Sequence, residues 1–371
     1  MKQLILKTSK YVTQDKKIPN MSAVLITDGT ITASADDFIL KELAPEAEYH
    51  DLSGKTLVPG FFSLFGDFFE RGKEDGFERL SDEYLKKGIT TVGVRNISAA
   101  DLETLKEADK KGELRVDVSV YLEESASALL PEKMPVYNDY DGHIRLAGVS
   151  IYVDDMTPEA SLKELYTSHI SKHQQVLSQA DTAASIAKVL NAYREALIAV
   201  NGSKTDEDGN EKPKIFEDLR PIICGLRELT GDKLTLLQSL GFVPCLDLCR
   251  LSENEGGSEN IYPARDIVRR GLAFAISHGG AKDAVDAMNM AVNRAVGGHI
   301  KGTEQTINTD QALLSQTLFA AYALFEDLAK GSLTMTKRAD LVVLSDNPLE
   351  ISDLEVPNLK VSMTVKGGII A

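Results

Sequence analysis

Hydrophobic positions along this chain follow two different periods. In AVLITDGTITA (23–33), two β-rich runs flank Asp28-Gly29, a pair that supplies the positive φ of a tight hairpin. Residues 1–56 continue in this manner, as short strands separated by turns. The far end has the same character. ADLVVL (339–344) is an apolar strand, and in KVSMTVKGG (360–368) Val361, Met363 and Val365 alternate with Ser362 and Thr364 before a Gly-Gly turn. Neither end holds enough strand to cover its own apolar face, so the two are expected to pair into one small sheet domain.

Between the ends, strand and helix patterns take turns. Gly88 closes a short helix (81–87), and a strand follows over 89–94. Ser98 with Asp101 three residues on is a capping-box-like start for a helix carrying Leu102, Leu105 and Ala108, stopped near Gly112. Leu114, Val116, Val118 and Val120 alternate with Arg115, Asp117 and Ser119, which is strand periodicity. Residues 147–153 form another strand. A helix from about Thr182 puts Ile186, Val189, Leu190, Tyr193 and Leu197 on one face. The rhythm repeats as strand 221–224, a helix through Leu234, Leu237 and Leu240 to Gly241, strand 242–248, helix 264–270, strand 272–276 and helix 284–295. Repeated β-α units require a parallel sheet, and a stretch of this length predicts a closed (β/α)8 TIM barrel rather than an open sheet. The expected organisation is a composite β-sandwich from 1–56 plus 330–371, with the barrel over 57–329. The polar stretch 202–214, rich in turn formers, is expected to be a solvated loop.

Composition narrows the class. The chain has 371 residues, 43% of them hydrophobic, which excludes global disorder. Lys and Arg number 41 against 56 Asp and Glu, a net charge of −15 that speaks against nucleic acid or anionic lipid as partner. The N-terminal run Leu4-Ile5-Leu6 is far short of a signal-peptide core, and no apolar segment approaches the roughly 20 residues of a membrane span. Three cysteines (Cys224, Cys245, Cys249) are too few and too local for a disulfide framework, so a reducing, cytoplasmic setting is expected.

Four stretches carry a family resemblance. TLVPGFFSLFGD (56–67) resembles the first barrel strand of the amidohydrolase superfamily, read there as PGfiDxHxH. GVSIYVDD (148–155) and ICGLRELTGDKLTLLQSLG (223–241) match in order, and KGSLTMTKRADLVVL (330–344) is similar to the usual ending of these hydrolases. The continuation SMTVKGG resembles the YtcJ-like branch, Amidohydrolase 3, whose members carry a long segment after the first barrel strand that this chain lacks. The resemblance implies a TIM barrel flanked by a composite β domain. It also implies hydrolysis of non-peptide C–N bonds by Zn²⁺ or another divalent metal at the barrel mouth, where bound water becomes hydroxide near neutral pH.

The matching positions do not carry that chemistry. The two histidines of the first-strand pair fall on Phe65 and Asp67, and the bridging lysine of binuclear members falls on Ser150. The strand-five histidine, matched through SQADTAASIAKVLNAYRE (178–195), falls on Gln179. The strand-six histidine falls on Gly225, and the last-strand aspartate, within FAISHGG (274–280), falls on His278. Only Asp67, Gln179 and His278 keep a donor atom, and these are weak metal candidates, because one carboxylate, one amide and one imidazole do not make a usual tight zinc site.

Other features have bland readings beside the chemical ones. His169 and His173, four apart in TSHISKHQQ, are expected on the surface or in a linker. Cys245, Asp247 and Cys249 alternate in PCLDLC. They read either as a thiol–carboxylate site or as small thiols lining the barrel, whereas Cys224 is expected to point away from the old metal pocket. Asp154 and Asp155 read as acid/base carboxylates at the mouth or as loop caps. His143 and His299 have no role, and Gly279-Gly280 is a weak anion-nest signal.

The favoured expectation is a barrel that has lost metal hydrolysis, a pseudoenzyme or repurposed binder with no cofactor and with a small-molecule ligand at its mouth. The alternatives are an atypical metal-dependent hydrolase of non-peptide C–N bonds around Asp67, His278 and Asp154, using Zn²⁺ or another divalent metal, and a structural homo-oligomer. Metal content separates the first two, and light scattering tests the third.

Overall fold

The computed structural model describes residues 2–15, 17, 22–131, 140–206, 209, 211–253, 261–278 and 282–371. Its largest sheet has eight parallel strands. In chain order they are Phe61–Leu64, Ile89–Ile97, Asp117–Glu123, Ile144–Tyr152, Val176–Ala180, Ile222–Gly225, Val243–Leu246 and Ala275–Ile276. A parallel bridge between Leu64 and Ser277 joins the last to the first, and the His278 amide donates to Leu64 O at 2.9 Å. The sheet therefore closes, and the expected (β/α)8 barrel is the observed one.

Alternation decides what each strand shows to each side. Val118, Val120 and Leu122 face outward into the layer shared with the helices, where Leu102, Leu105, Ile186 and Val189 also lie. Tyr121 of the same strand turns inward with Phe62, Leu64, Phe65, Leu177, Ile222, Cys224 and Cys245. The helices start where local chemistry satisfies their first amides. Ser98 Oγ accepts from Asp101 N at 3.1 Å to open Ala99–Lys110, and Thr182 caps Ala183–Asn201 with Ser185 answering.

Two smaller sheets are built from the ends of the chain. One is entirely N-terminal, in the order Thr30–Ala35, Ala23–Thr27, Gln3–Lys7, Glu48–Asp51, and its hairpin turns at Asp28 and Gly29 with φ of 45° and 80°. The other is mixed, because Thr56–Pro59 pairs antiparallel with Leu341–Leu344, which pairs in turn with Val361–Lys366. Leu4, Val24, Ile26, Leu57, Leu341, Val343 and Val365 fill the space between them. Neither set of strands covers this core alone.

An ionic cluster forms the barrel floor. Asp117, at 2% exposure, lies 2.6 Å from Lys330 Nζ, 2.6 Å from Lys366 Nζ and 3.0 Å from Arg338 Nη1. Lys330 also touches Glu326, which accepts from Ser119 Oγ at 2.7 Å. The polar half of the 117–123 strand is thus interior, held by residues near the C-terminus.

Some elements differ from expectation. The 81–87 helix begins earlier, as Phe77–Lys86, and strand seven stops at Leu246 before a 3-10 turn over Leu248–Glu253. Within 202–214, Ser203–Thr205 pairs antiparallel with Glu211–Pro213, so part of the expected loop is a short hairpin. Among the described residues, no helix is long and apolar enough to cross a membrane.

Candidate functional site

The C-terminal ends of the barrel strands carry the positions of interest. Phe65 follows strand one with φ 55° and 2% exposure, and its amide donates to Gly93 O at 2.8 Å. Its ring meets Tyr121 edge-on, 5.5 Å between centroids, so an apolar lid seals the inner core. Asp67, two residues on, is exposed at the start of helix Phe68–Asp75, with Tyr84 OH 3.5 Å from Oδ1.

The remaining matched positions are spent or filled. Ser150 Oγ accepts from Asn96 N at 2.8 Å and donates to Leu122 O at 3.2 Å, which ties three neighbouring strands together. Gly225 has φ 95°, and a Cβ added there would stand 2.2 Å from Asp181 Oδ1 and 2.8 Å from Ala180 O. His278 is buried, and its Nε2 faces Gln316 Oε1 at 2.9 Å. The Gln316 amide nitrogen is directed at Ala312 O, 3.5 Å away, so its oxygen accepts and His278 Nε2 carries the proton. Burial pushes the imidazole down to about 4, leaving it neutral at neutral pH.

Two cavities open here. The larger, about 480 Å³, is lined by Phe65, Asp67 and Gln179 together with Arg95, Asp247 and Cys249. A smaller recess of about 180 Å³ contains Asp67, Tyr84 and His278. The structure thus groups Asp67 with Gln179 on one side and with His278 on the other, and Ser150, Gly225 and Asp154 line neither. Asp154 Oδ1 accepts from Thr157 Oγ1 at 2.7 Å, Thr157 N at 2.8 Å and Met156 N at 2.9 Å. Those bonds, the Thr157 hydroxyl foremost, hold its carboxyl below the usual range, as in a loop cap rather than a proton donor.

The PCLDLC residues separate. Cys245 lies inside the barrel beside its register partner Cys224, so Cys224, expected to turn away, faces the inner core beneath Phe65. Alternation sets this, since Ile222 and Cys224 turn inward and Ile223 outward, and the positive φ of Gly225 breaks the row so that the count back from 225 fails. Asp247 is 7% exposed at the mouth, and Cys249, half-buried in the following turn, has Sγ 2.7 Å from Asp247 Oδ1. Burial raises the Asp247 carboxyl above its ordinary value.

Reasoning from sequence missed Arg95, Asp181 and Arg250. Arg95 ends the inward row Thr91, Gly93, Arg95 of strand two, and only the rule that such ends form the site could have found it. Arg250 Nη1 sits 2.6 Å from Asp181 Oδ2, a pairing made between two loops. His169, expected at the surface, is fully buried, because Gln174 Oε1 at 2.7 Å and Glu124 Oε2 at 2.6 Å satisfy both ring nitrogens. His173 is exposed beside Glu217, His143 bonds Asp109 at 2.9 Å, and His299 is exposed. Gly279-Gly280 lies outside the described residues.

The donors do not fit a transition metal. Phe65 has none, Gly225 has neither side chain nor room for one, Ser150 has used its hydroxyl, and His278 faces the other recess. Among the described residues, no group of three or more His, Cys, Asp or Glu comes together as a metal-holding set.

The sequence profile of the amidohydrolase family, Amidohydro_3, matches residues 72–371. No curated protein matches the chain. Among solved structures, an uncharacterized metal-dependent hydrolase from Pyrococcus horikoshii OT3 is similar with a TM-score of 0.77 at 13% identity, covering 95% of this chain and 99% of that one. A counterpart from Pyrococcus furiosus has a TM-score of 0.75 at 14% identity, with coverage of 94% and 100%. Helicobacter pylori aminofutalosine deaminase, in complex with methylthio-coformycin, has a TM-score of 0.69 at 13% identity, with coverage of 99% and 100%. At such identities the likeness is one of fold.

Proposed function

The chain belongs to the amidohydrolase family, and from that premise we propose that its barrel mouth binds a small molecule without metal-dependent hydrolysis. The observation that carries this reading is Asp181 above Gly225. A carboxylate oxygen stands where the strand-six ligand would begin, and the backbone at 225 is in a region that side chains rarely adopt. Phe65 supports it from the opposite side, because a ring at 2% exposure closes the inner barrel where a ligating imidazole would stand. Losing even a partner behind a metal ligand typically costs about 10–100-fold in affinity or activity, and direct ligands should cost more. The resemblance of SMTVKGG to the YtcJ-like branch enters the proposal as a statement of ancestry. The family match, with the branch that the SMTVKGG ending resembles, makes metal-dependent C–N bond hydrolysis the activity proposed to have been lost.

The test is metal analysis of protein purified without chelator, with release of product from N-substituted formamides followed in parallel. Substoichiometric Zn, Mn and Fe with no turnover is expected. A stoichiometric metal that disappears in Asp67→Ala or His278→Ala overturns the reading.

One observation favours a second reading. Asp67, His278 and Tyr84 share the smaller recess, where a neutral imidazole and a carboxylate could serve an atypical hydrolase. Turnover that is lost on chelation and in His278→Ala would establish it.

A further inference from the structure

We infer that the larger mouth cavity takes a small monocarboxylate bearing a neighbouring N–H, with Arg95 receiving the carboxylate and Asp247 accepting from the N–H. The inference rests on the binding role proposed above and names its ligand class.

Arg95 reaches the cavity by strand geometry. Thr91 faces the floor, within 3.2 Å of Lys330 Nζ, and a Cβ at Gly93 would touch Leu64 and the Phe65 ring at 3.2 Å, so both positions point inward. Arg95, two residues further on, points the same way at the mouth. Its guanidinium carbon lies 6.0 Å from the Phe65 ring centroid. Among the described residues, no carboxylate stands within ion-pair distance of it, whereas neighbouring Arg250 is neutralised by Asp181 at 2.6 Å. A half-buried cation over an aromatic floor loses hydration without gaining a counter-charge, and a planar guanidinium matches a carboxylate bidentately.

The rest of the lining fixes the other end of the ligand. Asp247 faces the same space, buried but for 7%, with Cys249 Sγ on its Oδ1. Asp247 and Arg95 make no direct ion pair with one another and line the one cavity. A molecule that bridges them satisfies both, and Gln179 adds an amide to the same lining. The volume of about 480 Å³ suits a small metabolite. Polyanions fit poorly, because Asp67, Glu70 and Asp247 share the cavity wall in a chain of net charge −15.

Calorimetric titration of the full chain with N-acetylglycine, N-acetylglycinamide and inorganic phosphate tests this. N-acetylglycine should bind, its amide at least about tenfold more weakly and phosphate not at all, and Arg95→Gln should lose about ten- to hundredfold for the acid. Arg95→Lys should lie between, and unchanged melting curves keep folding out of the comparison. Location is read independently, since bound N-acetylglycine should slow N-ethylmaleimide modification of Cys249, which lines the same cavity. Equal binding of acid and amide, unchanged binding by Arg95→Gln, no binding of N-acetylglycine, or no protection of Cys249 each overturns the inference. Acetate release with stoichiometric metal would instead overturn the underlying non-hydrolytic reading, whatever the dependence on Arg95.

Discussion

Asp181 Oδ1 lies 2.2 Å from the point where a Cβ on Gly225 would stand. The carboxylate is held there from its other oxygen by Arg250, at 2.6 Å, so it cannot swing aside without breaking that pair. The strand-six position is therefore closed both by backbone conformation and by a neighbour.

Gly225→Ala should destabilise the protein by about 2–4 kcal/mol, combining left-handed strain at φ 95° with overpacking against Asp181 and Ala180 O. Urea unfolding measures it. Gly225→His should be no better and should gain no metal. A variant as stable as the parent would show that the site can relax.

His278 supplies a pH dependence. Its folded value is pushed down by burial from 6.5 to about 4, so the unfolded chain takes up the proton first as pH falls. Its contribution is complete above pH 6.5 and is lost as pH falls toward 4, by about 3 kcal/mol at most. Chemical denaturation across that window should show the decline in the parent and a flatter profile in His278→Gln. Identical slopes would assign the effect to other groups.

The barrel and the paired ends were legible in sequence because both rest on local signals, namely alternation, caps and turn residues. Ser98 and Thr182 cap helices as their neighbours suggest, and Asp28-Gly29 turns its hairpin. The identities of Phe65, Ser150 and Gly225 are read directly from the chain. What packs around them is not. Asp181 reaches over Gly225 from the preceding strand's loop, and Arg95 looks like any strand end until its lack of an ion-pair partner among the described residues is seen in three dimensions. His169 misled because its polar neighbours suggest solvent, while its partner Glu124 is 45 residues away. Asp117 and Ser119 read only as the polar half of an alternating strand, and residues more than 200 positions later supply the partners that make them interior.

That floor yields a further prediction. Lys330 bridges Asp117 and Glu326, all within 2% exposure. Burial alone would raise the Asp117 carboxyl, but Lys330, Lys366 and Arg338 together hold it well below the carboxylate range. A depressed carboxyl stabilises above its unfolded value and loses that contribution only as pH falls through the folded one, so the floor should survive mild acid. Lys330→Met takes the shared cation away from two buried carboxylates and should cost about 3–5 kcal/mol. Because Lys366 and Arg338 come from the terminal segment, the paired sheets should loosen with the floor, read as faster hydrogen exchange over 341–344 and 361–366. Unchanged exchange there would mean the sheets hold independently.

The thiols report on the mouth directly. Cys224 and Cys245 are at most 1% exposed beneath Phe65, so neither sulfur is open to solvent, and burial raises the Cys245 thiol well above its ordinary value. Cys249 is half-buried in the cavity. Native protein should therefore lose one thiol quickly to N-ethylmaleimide, mapped to Cys249, and the other two only in denaturant. Phe65→Ala should change this order, because removing the ring opens the inner cluster at a cost of about 3–5 kcal/mol and lets the reagent reach Cys224 and Cys245. If all three thiols of the parent react at similar rates, the aromatic seal is not closed in solution, and the inner barrel is part of the ligand space rather than its floor.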